Sequence, residues 1–169
     1  RGQTLVGVVL DPPRDECFSA VRGGGAYLNG QPMEVSDVNE LANALVAVSL
    51  PPQVDASSPD LIAFCEVSPR SQAIRRTGSC ALNLVYVAAG RLDAFWAHYI
   101  NPWDVAAGVL MVEEAGGVVT GVHGEPFDVW DAHFAVAAGQ ALHQELLPHI
   151  SPNGGILTPK KTRSPNMIT

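Results

Sequence analysis

Asn101-Pro102-Trp103-Asp104-Val105-Ala106-Ala107-Gly108, closed downstream by Glu114-Ala115-Gly116-Gly117, is the stretch that decides how this 169-residue chain is read. Proline suits the first position of a helix, where its missing N–H is not needed, and asparagine is a frequent cap. Gly116 ends the helix, because glycine tolerates the left-handed conformation that follows a last helical turn. Asp104 therefore falls in the first turn. A carboxylate there meets unpaired backbone N–H groups and the positive end of the helix, worth about 0.3–1 kcal/mol. That alone accounts for an acid at this position.

The pattern extends on both sides. Upstream, Ser79 is a good cap for Cys80 to Ala89, with Gly90 as the stop, and the segment is apolar nearly all round, as a buried helix is. Leu45 to Leu50 reads as a buried strand ended by Pro51-Pro52. Asp60 to Val67 reads as a short helix, Ala73 to Thr77 and Asp93 to Trp96 as further strands. Downstream follow a strand at Val118 to Thr120, a turn-rich hairpin from Gly121 to Asp128, a buried strand at Phe134 to Ala138 and a last helix at Leu142 to Ile150. Helices alternating with short apolar strands predict a layered α/β sandwich over residues 37–150. Residues 1–36 form antiparallel strands, with Asp11-Pro12-Pro13-Arg14-Asp15 as one turn and Asn29-Gly30 as a two-residue hairpin turn. Gly23-Gly24-Gly25 leads into a strand rather than a helix, so it reads as a turn or bulge and not as a phosphate loop. Residues 151–169, with Lys160-Lys161-Thr162-Arg163, read as a loose tail.

Composition narrows the function. Apolar residues make up 47% and charged residues 16%, so the chain buries a core. Ten Lys and Arg against seventeen Asp and Glu give −7, which argues against the basic face that nucleic acid requires. No apolar run reaches the roughly 20 residues that span a bilayer. Cys17, Cys65 and Cys80 are odd in number and lack CxxC spacing, which speaks against a disulfide framework or a zinc site and fits the reducing cytoplasm. The five histidines lack the spacing of a local zinc motif and read as scattered surface or interface residues. Cys80 sits at a helix start that favours thiolate, yet Ala81 and Leu82 beside it favour a small buried residue. Asp11, Asp15 and Glu16 read as turn and solvated residues, or as a cation cluster. One of Glu113 and Glu114 is expected to pair with an arginine.

The order of segments resembles the inositol monophosphatase family. The match runs through Val8-Val9-Leu10-Asp11-Pro12, Gly23-Gly24-Gly25-Ala26-Tyr27-Leu28-Asn29-Gly30, Arg76-Thr77-Gly78-Ser79-Cys80-Ala81-Leu82 and Ala89-Gly90-Arg91-Leu92-Asp93-Ala94-Phe95-Trp96, and ends in the W-D-x-A-A-G and E-A-G-G segments quoted first. It covers about residues 5–150.

The resemblance implies a magnesium-dependent, lithium-sensitive phosphomonoesterase whose helices and sheets stack in alternating layers. It implies that Asp104 is a magnesium ligand and that Gly78, Ser79 and Cys80 line the pocket of a small phosphorylated substrate. Two departures accompany it. The family's other metal ligands lie upstream, in a Glu-Glu pair and a D-P-x-D-G-T motif, and neither is present in this sequence. The glutamate that often follows the strand's aromatic pair is replaced by Ala97, which removes a contact to sugar hydroxyls. The expectation is thus a C-terminal portion with little or no turnover alone, forming a homodimer or joining a complementing N-terminal half. The alternative is a non-catalytic interaction or dimerisation module that keeps the C-terminal fold.

Overall fold

The computed structural model describes residues 3–131 and 133–151. Four antiparallel strands, β1 (Val6–Asp11), β2 (Glu16–Val21), β3 (Gly25–Leu28) and β4 (Gln31–Pro32), form a first sheet in chain order. A single 3-10 turn at Pro12–Arg14 joins β1 to β2. Asn29 and Gly30 both have positive φ, 50° and 78°, as a two-residue hairpin turn matching strand twist requires. Side chains alternate across the pleat. Phe18, Ala20 and Ala26 are buried on one face, while Val6, Val8, Leu10 and Val21 are exposed, with Val6 opposite Val21 in the ladder.

The second sheet holds β5 (Leu45–Val48), β6 (Ala73–Arg75), β7 (Ala94–Ala97), β8 (Val118–Thr120) and β9 (Phe134–Ala137), in the order β6-β5-β7-β9-β8. β5 is parallel to β6 and β7, and β9 is antiparallel to β7 and β8. Every residue of β7 and β9 is buried, which requires cover on both faces. Ala47, Phe95, Ala97, Phe134 and Val136 share one core with helices α2 (Cys80–Ala88) and α3 (Pro102–Glu114) and with Phe18, Ala20 and Ala26 of the first sheet. Val46, Val48, Ala94, Trp96, Ala135 and Ala137 face a second core with α1 (Pro59–Val67) and α4 (Gln140–Ile150). The layers therefore run sheet, helix pair, sheet, helix pair, which is the α/β sandwich the sequence predicts.

Helices α2 and α3 lie unusually close. A Cβ on Gly108 would stand 2.5 Å from the Leu84 Cβ, so glycine is what lets the two backbones approach. The far end of α3 is tied to the first sheet. The Glu114 carboxylate accepts from the N–H groups of Gly23 (2.9 Å) and Gly25 (3.0 Å), and Arg22 pairs with Glu113 at 2.5 Å. The glycine triplet is a turn, as expected, and the anion it cradles is a side chain of this protein. Those N–H groups hold the Glu114 carboxyl below its usual range.

Several local expectations change. Gly121 to Asp128 forms no paired strands: Gly121 N–H donates to Glu125 O, and β8 pairs with β9 instead. Asn101 precedes α3 with an extended backbone but its side chain makes no capping bond. Asp11 contacts Arg14 and Tyr86, and Glu16 pairs with Arg91, so these acids have cationic or phenolic partners rather than forming a cation cluster. The tail read at 151–169 lies outside the described residues from 152 onward. Among the described residues, no helix is long and apolar enough to cross a membrane.

The histidines depart furthest from expectation, since His98 and His143 are buried. His143 meets Thr120 Oγ1 through Nε2 at 2.9 Å, and its buried Nδ1 has no hydrogen-bond partner among the described residues. Burial pushes its pKa below the usual 6.5, and burial does the same to His133. A depressed folded-state pKa means the unfolded chain binds more protons, so this contribution is complete above 6.5 and is lost as pH falls toward the folded value. Urea midpoints are expected to fall between pH 7.5 and 5.5, and the fall to be shallower in His143→Leu. An identical slope in the variant would contradict this.

Candidate functional site

The C-terminal ends of the parallel strands β5 and β7 meet the starts of α1, α2 and α3. In open α/β sheets, ligands bind beyond the carboxyl ends of the strands. Asp104 sits in the first turn of α3, half-buried, with its backbone N–H donating to Asn101 O at 3.0 Å. Asn101 Nδ2 donates to Asp104 Oδ2 at 3.3 Å. The carboxylate thus faces the surface rather than the interior.

Gly78 is exposed, with φ of 89° and open space where a side chain would stand. Ser79 caps α2 by accepting from Leu82 N–H at 3.2 Å, which is the cap the sequence predicts. Thr77 fixes the approach by donating to Asn83 Oδ1 at 2.6 Å. Cys80 is half-buried, and its thiol donates to Ser49 Oγ, at the end of β5, at 3.2 Å. Burial raises the Cys80 pKa, the Ser49 contact opposes that, and the negative charges of Asp104 and Asp60 raise it further. These effects favour the thiol of Cys80 over its thiolate. Asp104 is thus near enough to Cys80 for its charge to act on the thiol.

Sequence reading did not find Asp60 and His98. Asp60, in the first turn of α1, accepts through Oδ1 from the His98 backbone N–H at 3.1 Å, and His98 Nδ1 lies 2.6 Å from the same oxygen. Both residues are buried. The pair ties the start of α1 to the end of β7. His133 stands beside it, ring centroids 6.2 Å from His98, and accepts from Tyr99 N–H at 3.4 Å. Tyr99 has φ of 58°, a left-handed conformation that strains a bulky residue. No local spacing announces this cluster, because 38 residues separate Asp60 from His98.

Among the described residues, no three His, Cys, Asp or Glu side chains converge as a complete metal site would need. Asp104 fits as one magnesium ligand, because a half-exposed carboxylate at a helix end is an accessible oxygen donor. The residues present do not fit as a whole cage.

A four-layer sandwich with a half-buried acid where helix starts meet the strand ends defines a layered α/β protein with a candidate ligand site there. The chain belongs to the inositol monophosphatase family, whose profile matches residues 1–154. It is 39% identical over 145 residues to the inositol-1-monophosphatase of Synechocystis sp., covering 83% of this chain and 49% of that protein. It is 40% identical over 161 residues to the Nus factor SuhB of Pseudomonas aeruginosa, covering 90% and 59%. The solved inositol monophosphatase of Anabaena (Nostoc) sp. PCC 7120 superposes with a TM-score of 0.82 at 38% identity, covering 88% of this chain and 59% of that one. The chain spans about half the length of the curated relatives it matches.

Proposed function

We propose that this chain is the C-terminal part of a magnesium-dependent hydrolase of small phosphate monoesters, of the inositol phosphate or a related sugar or nucleotide phosphate class. The observation that carries the reading is Asp104, outward-facing at the α3 start beside the loop that begins α2. In this reading Asp104 supplies one oxygen to magnesium. Gly78, Ser79 and Cys80 form the substrate wall, where the first N–H groups of α2 meet oxygens of the ester. Bound magnesium would neutralise phosphoryl charge and lower the pKa of a bound water. Ala97, buried at the end of β7, has no side-chain carboxylate to contact a sugar hydroxyl, so an inositol ring lacks that contact here. Sensitivity to lithium and a cytoplasmic setting complete the proposal. The unpaired thiols Cys17, Cys65 and Cys80 support the latter.

One carboxylate cannot hold a pair of ions about 3.5–4 Å apart. The chain alone is therefore expected to bind magnesium weakly by calorimetry, to lose that binding in Asp104→Asn, and to release no phosphate from an inositol monophosphate. Supplied with the remaining portion of a relative, it is expected to release phosphate with magnesium, to be inhibited by lithium, and to fall by about 100-fold or more in Asp104→Asn, since even groups that merely orient metal ligands cost 10–100-fold. Turnover unaffected by Asp104→Asn would overturn the proposal. A complex without turnover would favour the non-catalytic module, a reading that the exposed apolar face of the first sheet supports.

A further inference from the structure

The path from β7 to Asp104 is held at successive residues by groups from distant parts of the chain. His98, the first residue after β7, is fastened twice to Asp60 Oδ1, through its backbone N–H at 3.1 Å and its ring Nδ1 at 2.6 Å. Asp60 belongs to α1 and is 1% exposed, so this anchor is buried. Tyr99 follows and turns the chain with φ of 58°. Its backbone N–H donates to His133 Nδ1 at 3.4 Å, and the two rings meet edge to face with centroids 4.8 Å apart. Ile100 packs on the core between the sheets. Asn101 then reaches forward to Asp104 through both its side chain and its carbonyl.

Backbone strain at a bulky residue persists only where the surroundings over-determine it, and such residues gather at functional sites. Tyr99 is 42% exposed, so burial of its side chain does not explain the turn. The fastening at His98 and His133 does. His133 can serve in one protonation state only. Its Nε2 lies 3.4 Å from Asp131 Oδ1, which places the ring proton there and leaves Nδ1 as the acceptor. A proton on Nδ1 would set one N–H against another. Asp131, Glu125, Asp60 and His98 are the charged or titratable groups that act on this ring, and the Tyr99 phenol lies against it. Burial is the largest influence and lowers the His133 pKa from 6.5, so the acceptor is available at neutral pH and is lost as pH falls.

We infer that Asp60, His98 and His133 are positioning residues for Asp104, a clamp on the β7–α3 connection that fixes where its carboxylate stands. None of the three touches a ligand. The clamp itself rests on geometry; that it serves a magnesium ligand rests on the proposed function.

The test uses this chain by NMR, first metal-free and then titrated with magnesium alone. Between pH 7.5 and 5.5 the Asp104 amide resonance is expected to move in the wild type and to move much less in His133→Asn, which keeps an acceptor near the Nδ1 position and does not titrate. Partners that orient a metal ligand are worth 10–100-fold in affinity, so magnesium binding is expected to weaken by about tenfold over that range in the wild type, and by about tenfold at pH 7.5 in His133→Ala. His133→Asn is expected to hold its affinity at both pH values. Asp60→Asn, which keeps an acceptor for both His98 donors, is expected to retain the affinity that Asp60→Ala loses. Should Asp60→Ala not fold, His133→Asn at its half-buried position still carries the test. An Asp104 amide that moves equally in the wild type and in His133→Asn would overturn the inference. So would equal affinity in His133→Ala and the wild type, where Asp104→Asn abolishes binding. If Asp104→Asn binds magnesium as well as the wild type while the Asp104 amide still follows His133, the proposed function fails and the clamp stands.

Discussion

Gly108→Val is expected to destabilise the chain by about 3 kcal/mol, the upper end of the usual cost of overpacking a core. The Cβ alone would lie 2.5 Å from the Leu84 Cβ and 2.8 Å from its Cδ1. Leu84 is fully buried between the two sheets and has little room to yield. Relief must come from parting α2 and α3. Urea denaturation would read the loss, with Gly108→Ala smaller because alanine regains about 1 kcal/mol of helix propensity over glycine. The same parting would displace the start of α2 from Asp104. In a complex that turns over, the variant is thus expected to raise KM for the phosphate ester as well as to melt earlier. A Gly108→Val protein with unchanged urea midpoint would show that the close approach is not needed.

Asp60→Ala is the second large effect. The carboxylate serves two buried donors, the His98 backbone N–H and the ring Nδ1. Leaving each of two buried donors without a partner costs about 1–3 kcal/mol. Asp60→Asn keeps an acceptor oxygen and is expected to recover a substantial part of the loss, which separates the hydrogen bonds from the volume of the side chain. The damage should be local at first: amide exchange is expected to quicken at the start of α1 and at the end of β7 before it does in α3. Equal midpoints for wild type and Asp60→Ala would contradict the assignment.

The layered α/β architecture was legible because its elements carry local punctuation. Pro102 and Gly116 bracket α3, Ser79 and Gly90 bracket α2, and Asn29-Gly30 turns the third strand onto the fourth. Asp104 was legible as an acid at a helix start, and its special standing came from the order of five segments along the chain. What could not be read depends on approach across the fold. Asp60 and His98 are 38 residues apart, and Glu114 meets Gly23 across 91. Neither pairing has a periodicity to betray it. The 121–128 segment misled because turn-forming residues predict reversal of the chain, whereas a ladder needs a partner strand, and β8 finds its partner in β9.

The anchoring of Glu113 and Glu114 gives α3 a mechanical role. Thirteen residues at about 1.5 Å each make a rod of about 20 Å. One tip carries Asp104, and the other is bolted to the β2–β3 corner by Arg22 and the glycine amides. The rod therefore sets the distance between that corner of the first sheet and the acid at the opposite tip.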